Sequence, residues 1–139
     1  MLSHIGSKIM SIPFVKLFFD AEDSYYRSQS NDIGLENLGS LLRDIGKNRW
    51  AGFRTDLYND ACLGLGSSTT NVAKEDDYVE IRTCIYDRKN EDYNDLPFLR
   101  LHRDELARIT LEWEEFVKNR GKEMLITLEE CKIIMTPTY

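Results

Sequence analysis

The chain has 139 residues, with 18 Lys plus Arg against 24 Asp plus Glu, a net charge of −6, and 42% apolar residues. That length is the commonest single-domain size and hides roughly 70% of the unfolded surface on folding, so residues 1–139 read as one domain with one core. An aromatic content of 11% excludes a disordered tail, and the acidic balance excludes a generic nucleic-acid binder, whose affinity comes from Lys and Arg neutralising phosphates.

Ile9 to Phe19 leans apolar but contains Pro13 and Lys16 and runs into Asp20-Ala21-Glu22-Asp23. It is too short to span a bilayer, and no small-residue cleavage site follows, so neither a membrane span nor a secretory signal is expected. Met10 offers a second start, which makes 1–9 a candidate N-terminal extension that the fold does not need. Cys62, Cys84 and Cys131 are odd in number and form no C-x-x-C pair, so reduced thiols in a cytoplasmic protein are the expectation.

Phe14 to Phe19 is aromatic and β-branched, bounded by Pro13 and the acidic turn, and reads as a strand buried mostly on both faces in the middle of a sheet. Asp32 then offers an N-cap, Leu35, Leu38, Leu41, Leu42 and Ile45 recur at helical spacing, and Gly46 follows as a stop. Gly34 and Gly39 inside that helix each cost roughly 1 kcal/mol against Ala, so packing must hold it. Trp50 to Asp77 reads as one or two short strands and a polar loop, Gly66 to Asn71. From Tyr78 to Tyr86, Val79, Ile81 and Ile85 alternate with Tyr78, Glu80, Arg82 and Tyr86, the period of a strand with one buried and one wet face.

A polar connection, Asp87 to Asp95, leads to a short strand at Pro97 to Leu101. The second helix, Arg103 to Asn119, opens with His102 at the cap, Glu105 three residues on, and Leu101 and Leu106 as a hydrophobic staple. Leu106, Ile109, Trp113, Phe116 and Val117 form its apolar stripe, and Gly121 ends it. Met124 to Leu128 and Lys132 to Thr136 close the chain as a hairpin. The order gives an α+β fold, a mainly antiparallel sheet with two helices packed on one face.

Catalytic motifs are missing from this pattern. The histidines are His4, near the start, and His102, which capping explains. Asn90-x-Asp92-x-Asn94 fails as a calcium loop because Asp95 stands where the turn needs Gly and Leu101 where it needs a bidentate Glu. Gly64 to Thr70 lacks the Lys and the following helix of a phosphate cradle. The carboxylates of the second helix alternate with Arg108 and Lys118 at four-residue spacing, an ordinary solvated ladder. Cys84 has only Arg82 nearby to activate it. No metal and no cofactor is expected.

From Asn71 onward the chain carries 16 acidic against 11 basic residues, a net of −5. The acids cluster at Glu75, Asp76 and Asp77 beside Tyr78, and at Glu91, Asp92 and Asp95 beside Tyr93. Tyrosine beside carboxylate suits a protein interface, the ring supplying rigid contact area and the acid steering a basic partner. These eight residues are the expected binding surface.

The last third, Pro97 to Thr136, with Arg103-Asp104-Glu105-Leu106 and Leu111-Glu112-Trp113-Glu114-Glu115-Phe116 before Gly121 and the hairpin, resembles the small bacterial immunity proteins of contact-dependent inhibition and other polymorphic toxin systems. The resemblance implies a non-enzymatic cytoplasmic inhibitor that binds the C-terminal domain of a cognate toxin, often a basic nuclease. It implies no binding residues position by position, no direct nucleic-acid contact and no membrane, and a monomer or weak homodimer. Two other classes stay open at this point, a small enzyme using carboxylates or Cys84, and a phage-type inhibitor or adaptor.

Overall fold

The structure, a computed structural model, describes residues 12–46, 48–67, 69–83 and 93–139, Asn94 by its backbone alone. The 1–9 extension and Cys84 lie outside the described residues. The class is α+β, but the described residues form three helices where two were expected and two antiparallel four-stranded sheets where one was expected.

The first sheet is built from the two halves of the chain. Strand β1 (Phe14–Asp20) pairs with β2 (Tyr25–Ser30) on one side and with β7 (Glu123–Glu129) on the other, and β8 (Lys132–Thr138) lies outside β7. The expected central position of β1 holds. Its expected burial on both faces does not: Val15 and Leu17 are buried, whereas Phe14, Lys16 and Phe18 are only half-buried, because no second layer covers them fully. Tyr25 to Ser30, polar and lacking an apolar alternation, is a strand the sequence did not announce. At the β1–β2 turn the Arg27 guanidinium holds both Asp20 and Asp23, which keeps the Asp20 carboxyl below the usual range.

The second sheet is a meander of β3 (Leu65–Gly66), β4 (Thr70–Glu75), β5 (Tyr78–Thr83) and β6 (Phe98–His102). Helix α1 (Ile33–Asp44) lies between the sheets, started as expected by the Asp32 carboxylate accepting the Leu35 N–H at 2.9 Å. It ends at Asp44 with Ile45 extended, so Gly46 is not its cap. The glycines that weaken it are contact points. A Cβ on Gly39 would lie 2.9 Å from Val15 Cγ2 of the first sheet, and one on Gly34 would lie 3.5 Å from the Phe98 carbonyl of the second. Buried Asn37 adds a polar link, donating to the carbonyls of Ile81 (3.2 Å) and Pro97 (3.0 Å) and accepting the Thr83 hydroxyl at 2.6 Å. Each polar atom of this buried amide thus has a partner, as a dry interior requires.

The middle region departs most from expectation. Trp50–Tyr58 is a helix, α2, not a strand. Trp50, Phe53 and Leu57 bury one face of it, and the Lys74 ammonium donates to the carbonyls of Asp56 (2.9 Å) and Asn59 (2.7 Å) at its C-terminus. Arg54 crosses to Glu114 on helix α3 (Arg103–Lys118). Tertiary contacts therefore override a segment whose Gly52 and Thr55 are poor helix formers.

Helix α3 follows its sequence closely. His102 Nδ1 accepts the Asp104 N–H at 3.1 Å, and Leu101 and Leu106 are buried as a staple. Glu105 does not complete a capping box; its carboxylate reaches the Ile133 N–H of β8 at 3.1 Å instead. The ladder stands, with Arg108–Glu112 at 3.0 Å and Lys118–Glu114 at 2.7 Å. The stop is subtler than a glycine in a left-handed turn. Arg120 takes that conformation (φ 55°), and the N–H groups of Arg120 and Gly121 bond the Val117 and Phe116 carbonyls at 3.0 and 2.9 Å. Gly121 is required for space, since a Cβ there would sit inside the Phe116 ring. One contiguous apolar core links all three helices and both sheets.

Candidate functional site

The first of the expected clusters, Glu75 to Tyr78, lies at one end of the wet face of the second sheet. β4 and β5 join at a tight turn in which Asp76 adopts a left-handed backbone (φ 52°), a conformation Asp and Asn tolerate better than most residues. Glu75, Asp76, Asp77 and Tyr78 are all exposed at this tip. Neither the Asp76 nor the Asp77 carboxylate makes a hydrogen bond or ion pair among the described residues.

The tip is anchored rather than loose. The Arg103 backbone N–H donates to the Asp77 carbonyl at 2.8 Å, and its guanidinium holds Asp60 at 2.9 Å, keeping that carboxyl below the usual range. Asp60, Asp76, Asp77 and Arg103 rim a shallow depression. Beside it the Tyr58 hydroxyl donates to Asp104 at 2.6 Å, and this hydrogen bond raises the Tyr58 pKa. The start of α3 and the end of α2 thus form a rigid base for the hairpin.

Register sets the rest of the face. Tyr78 stands opposite His102, Glu80 opposite Arg100, and Arg82 opposite Phe98. Arg100 lies 4.6 Å from the Tyr78 ring centre, 3.4 Å from Glu80 and 4.0 Å from Glu75. Tyr78 meets His102 edge-on at 5.4 Å. Arg82, which Glu80 holds at 3.0 Å, is sandwiched between the rings of Phe98 (4.4 Å) and Tyr93 (4.8 Å). Cation and ring alternate along the face, each guanidinium stacked on an aromatic surface.

Of the second cluster, Tyr93 and Asp95 lie away from the acidic tip. Tyr78 and Arg82 are four residues apart on β5, about 13 Å at the strand rise, so Tyr93 sits at the far end from the acidic tip. Tyr93 opens a 3-10 turn, Tyr93–Asp95, with its ring on Arg82 and its hydroxyl accepting from Asn71 at 3.1 Å. It is a cover for a buried arginine rather than a presented side chain. Asp95 is exposed on the same turn, and Glu91 and Asp92 lie outside the described residues. Glu80, Arg82, Phe98, Arg100 and His102 were not assigned to the binding surface from the sequence. The signal was the shared wet-face alternation of 78–82 and 98–102, which becomes informative once those strands are paired.

Among the described residues no group of three or more His, Cys, Asp or Glu is placed to hold a metal ion, and no helix is long and apolar enough to cross a membrane. The arrangement offers charge and rigid contact area. Compared with protein-family models, with curated proteins and with solved structures, the chain matches none.

Proposed function

We propose that this chain is a non-enzymatic binding protein that neutralises a basic bacterial toxin domain in the cytoplasm of the cell that makes it. The observation that carries the reading is the anchored acidic tip, where Asp76 and Asp77 form no ion pair among the described residues and Tyr78 is 42% exposed on a stacked arginine. Carboxylates held rigid and unneutralised keep their attraction for a partner's Arg or Lys, raising the encounter rate by roughly 10- to 1,000-fold at low salt. An aromatic anchor beside them supplies desolvated contact area, and because α2 and α3 pre-order the tip, little entropy is lost on docking. The immunity-protein resemblance of the last third names the class of partner, and the net charge of −6 fits a basic one.

The test is protection. Co-expressed with the toxin domain encoded beside it, the protein should rescue growth and form a one-to-one complex whose association rate falls steeply with salt. Failure to rescue, or the lack of a toxin gene as neighbour, overturns the function; rescue with a salt-independent association rate overturns the site.

A further inference from the structure

At the far end of α3 from the acidic tip, about 24 Å away for 16 residues at 1.5 Å each, lies a cleft of about 600 Å³. Four segments meet there: the β1–β2 hairpin, the end of α1, the start of α2 and the end of α3. Its walls are aromatic, with Tyr25, Tyr26, Trp50 and Trp113. Arg43 and Arg120 stand on it, and the single acid on its wall among the described residues is Asp44.

Those arginines differ from the others. Arg27, Arg54, Arg82, Arg100, Arg103 and Arg108 each hold a carboxylate. Among the described residues, Arg43, Arg49 and Arg120 hold none; Arg43 and Arg120 line this cleft, while Arg49, immediately preceding Trp50, lines the adjoining depression. In a chain with net charge −6, unpaired guanidinium groups converging on one concavity are unexpected from composition. Asp44 does not neutralise them; it accepts the hydroxyls of Ser67 (3.2 Å) and Thr69 (2.8 Å).

Two buried donors are also orphaned. Arg43 Nε and Trp50 Nε1 are shielded from solvent and have no hydrogen-bond partner among the described residues, and Trp50 is only 3% exposed; single nitrogens of Arg54, Arg82 and Arg103 are unpaired elsewhere, but Trp50 is the one tryptophan so placed. A buried indole N–H normally finds an acceptor, and leaving such a group unpaired costs about 1–3 kcal/mol. Position alone does not account for this. Arg43 lies in the last turn of α1 and Arg120 just beyond α3, where the helix dipole favours a cation, but a dipole supplies no acceptor atom for a particular N–H. At the same place α2 starts with no side-chain cap and no acid in its first turn.

With Arg43 and Arg120 unpaired on the lining among the described residues, a fitting occupant carries negative charge, and the aromatic walls favour a flat apolar body. A volume of about 600 Å³ falls in the usual range for small-molecule sites. We propose that the cleft binds a small aromatic carboxylate, its carboxylate on the Arg43 guanidinium and its ring between the tyrosines and tryptophans. Guanidinium and carboxylate match as a two-pronged hydrogen-bonded pair, and an aromatic ring stacks on the remaining walls. This site is separate from the acidic tip and does not depend on the toxin-binding reading.

The chain has two tryptophans, so its two indole N–H signals in a ¹⁵N–¹H spectrum report on both cleft walls, with Trp50→Phe assigning them. Titration of the full chain with 2-naphthoate should shift the Trp50 signal saturably, with a Kd of about 1 mM or tighter. Arg43→Gln should weaken binding about 10- to 100-fold, the loss of one charged hydrogen bond, and Arg120→Gln less. The neutral amide 2-naphthamide, tested on the unaltered protein, should bind at least about tenfold more weakly than the acid. An unmoved Trp50 signal, an amide that binds as well as the acid, or a folded Arg43→Gln that binds unchanged would each overturn the proposal. The amide comparison needs no variant, so it decides the matter even if Arg43→Gln fails to fold.

Discussion

The two ends of α3 show how similar residue types give different surfaces. At its first turn the neighbouring arginines, Arg100 and Arg103, are committed to Glu80 and Asp60, and among the described residues the carboxylates of Asp76 and Asp77 are left over. At its last turn the aromatic rings are sunk into a cleft, and among the described residues it is the arginines, Arg43 and Arg120, that are left over. What a surface offers a partner is set by which charges remain unpaired after folding, not by how many the segment contains. An overall charge of −6 conceals a cationic concavity as readily as it advertises an acidic tip.

The sharpest way to break the contrast is to remove the wall that the cleft shares with the core. Trp113 is 1% exposed, stacks on Phe116 at 5.2 Å and meets Tyr26 edge-on at 5.0 Å. Trp113→Ala is expected to cost about 3–5 kcal/mol in urea-induced unfolding. A loss below about 1 kcal/mol would show that the aromatic cluster is not the structural centre of that end. Gly121→Ala is next. Its methyl would enter the Phe116 ring, and the ring cannot retreat because it is fully buried, so a loss of about 1–3 kcal/mol is expected in the same measurement. A neutral result would mean that the end of α3 is free to move and that the cleft is not preformed.

These two positions also show where the sequence was readable. Trp113 and Phe116 were legible because a 3.6-residue period needs only local information, and the same is true of the Asp32 cap and the 123–138 hairpin. Gly121 was recognised as a helix end for a different reason from the one that makes it necessary. The alternation of β5 was legible, but its pairing with β6 was not, so the Arg82 and Arg100 stacks stayed hidden. Helix α2 was unreadable because the contacts that hold it, its buried face and its bonds to Lys74 and Glu114, are made with residues distant in sequence. The acidic tip could be found from adjacent residues, 75 to 78. The cleft could not, being assembled from four segments that only the fold brings together.

Between the two ends, Glu114 ties α2 to α3 and should make that tie sensitive to acid. Lys118, first, and Arg54 hold its carboxyl below the ordinary glutamate range. A carboxyl whose pKa is depressed by folding contributes stability that is complete above the unfolded value, about 4.3, and is lost as pH falls through the folded value. Urea midpoints should therefore drop for the unaltered protein below about pH 4, and Glu114→Gln should remove part of that slope. At neutral pH the substitution should cost about 1 kcal/mol or less, since Lys118 is largely exposed. An unchanged acid slope would show that the α2–α3 contact is carried by apolar packing alone.

The smallest expected effect is the one that separates recognition from folding. Asp76→Asn together with Asp77→Asn removes two charges from the acidic tip and should change stability by no more than about 0.5 kcal/mol, measured by thermal unfolding. Both side chains are exposed, and neither has a partner among the described residues. The left-handed backbone at Asp76 suits Asn equally well, and the Asp77 anchor to Arg103 is made by its carbonyl, which the substitution leaves in place. With the hairpin geometry preserved, any fall in the association rate with a basic partner must come from lost electrostatic steering. A destabilisation above about 1 kcal/mol would instead make these carboxylates part of the fold's own bookkeeping, and the tip would lose its claim to be a surface held ready for another molecule.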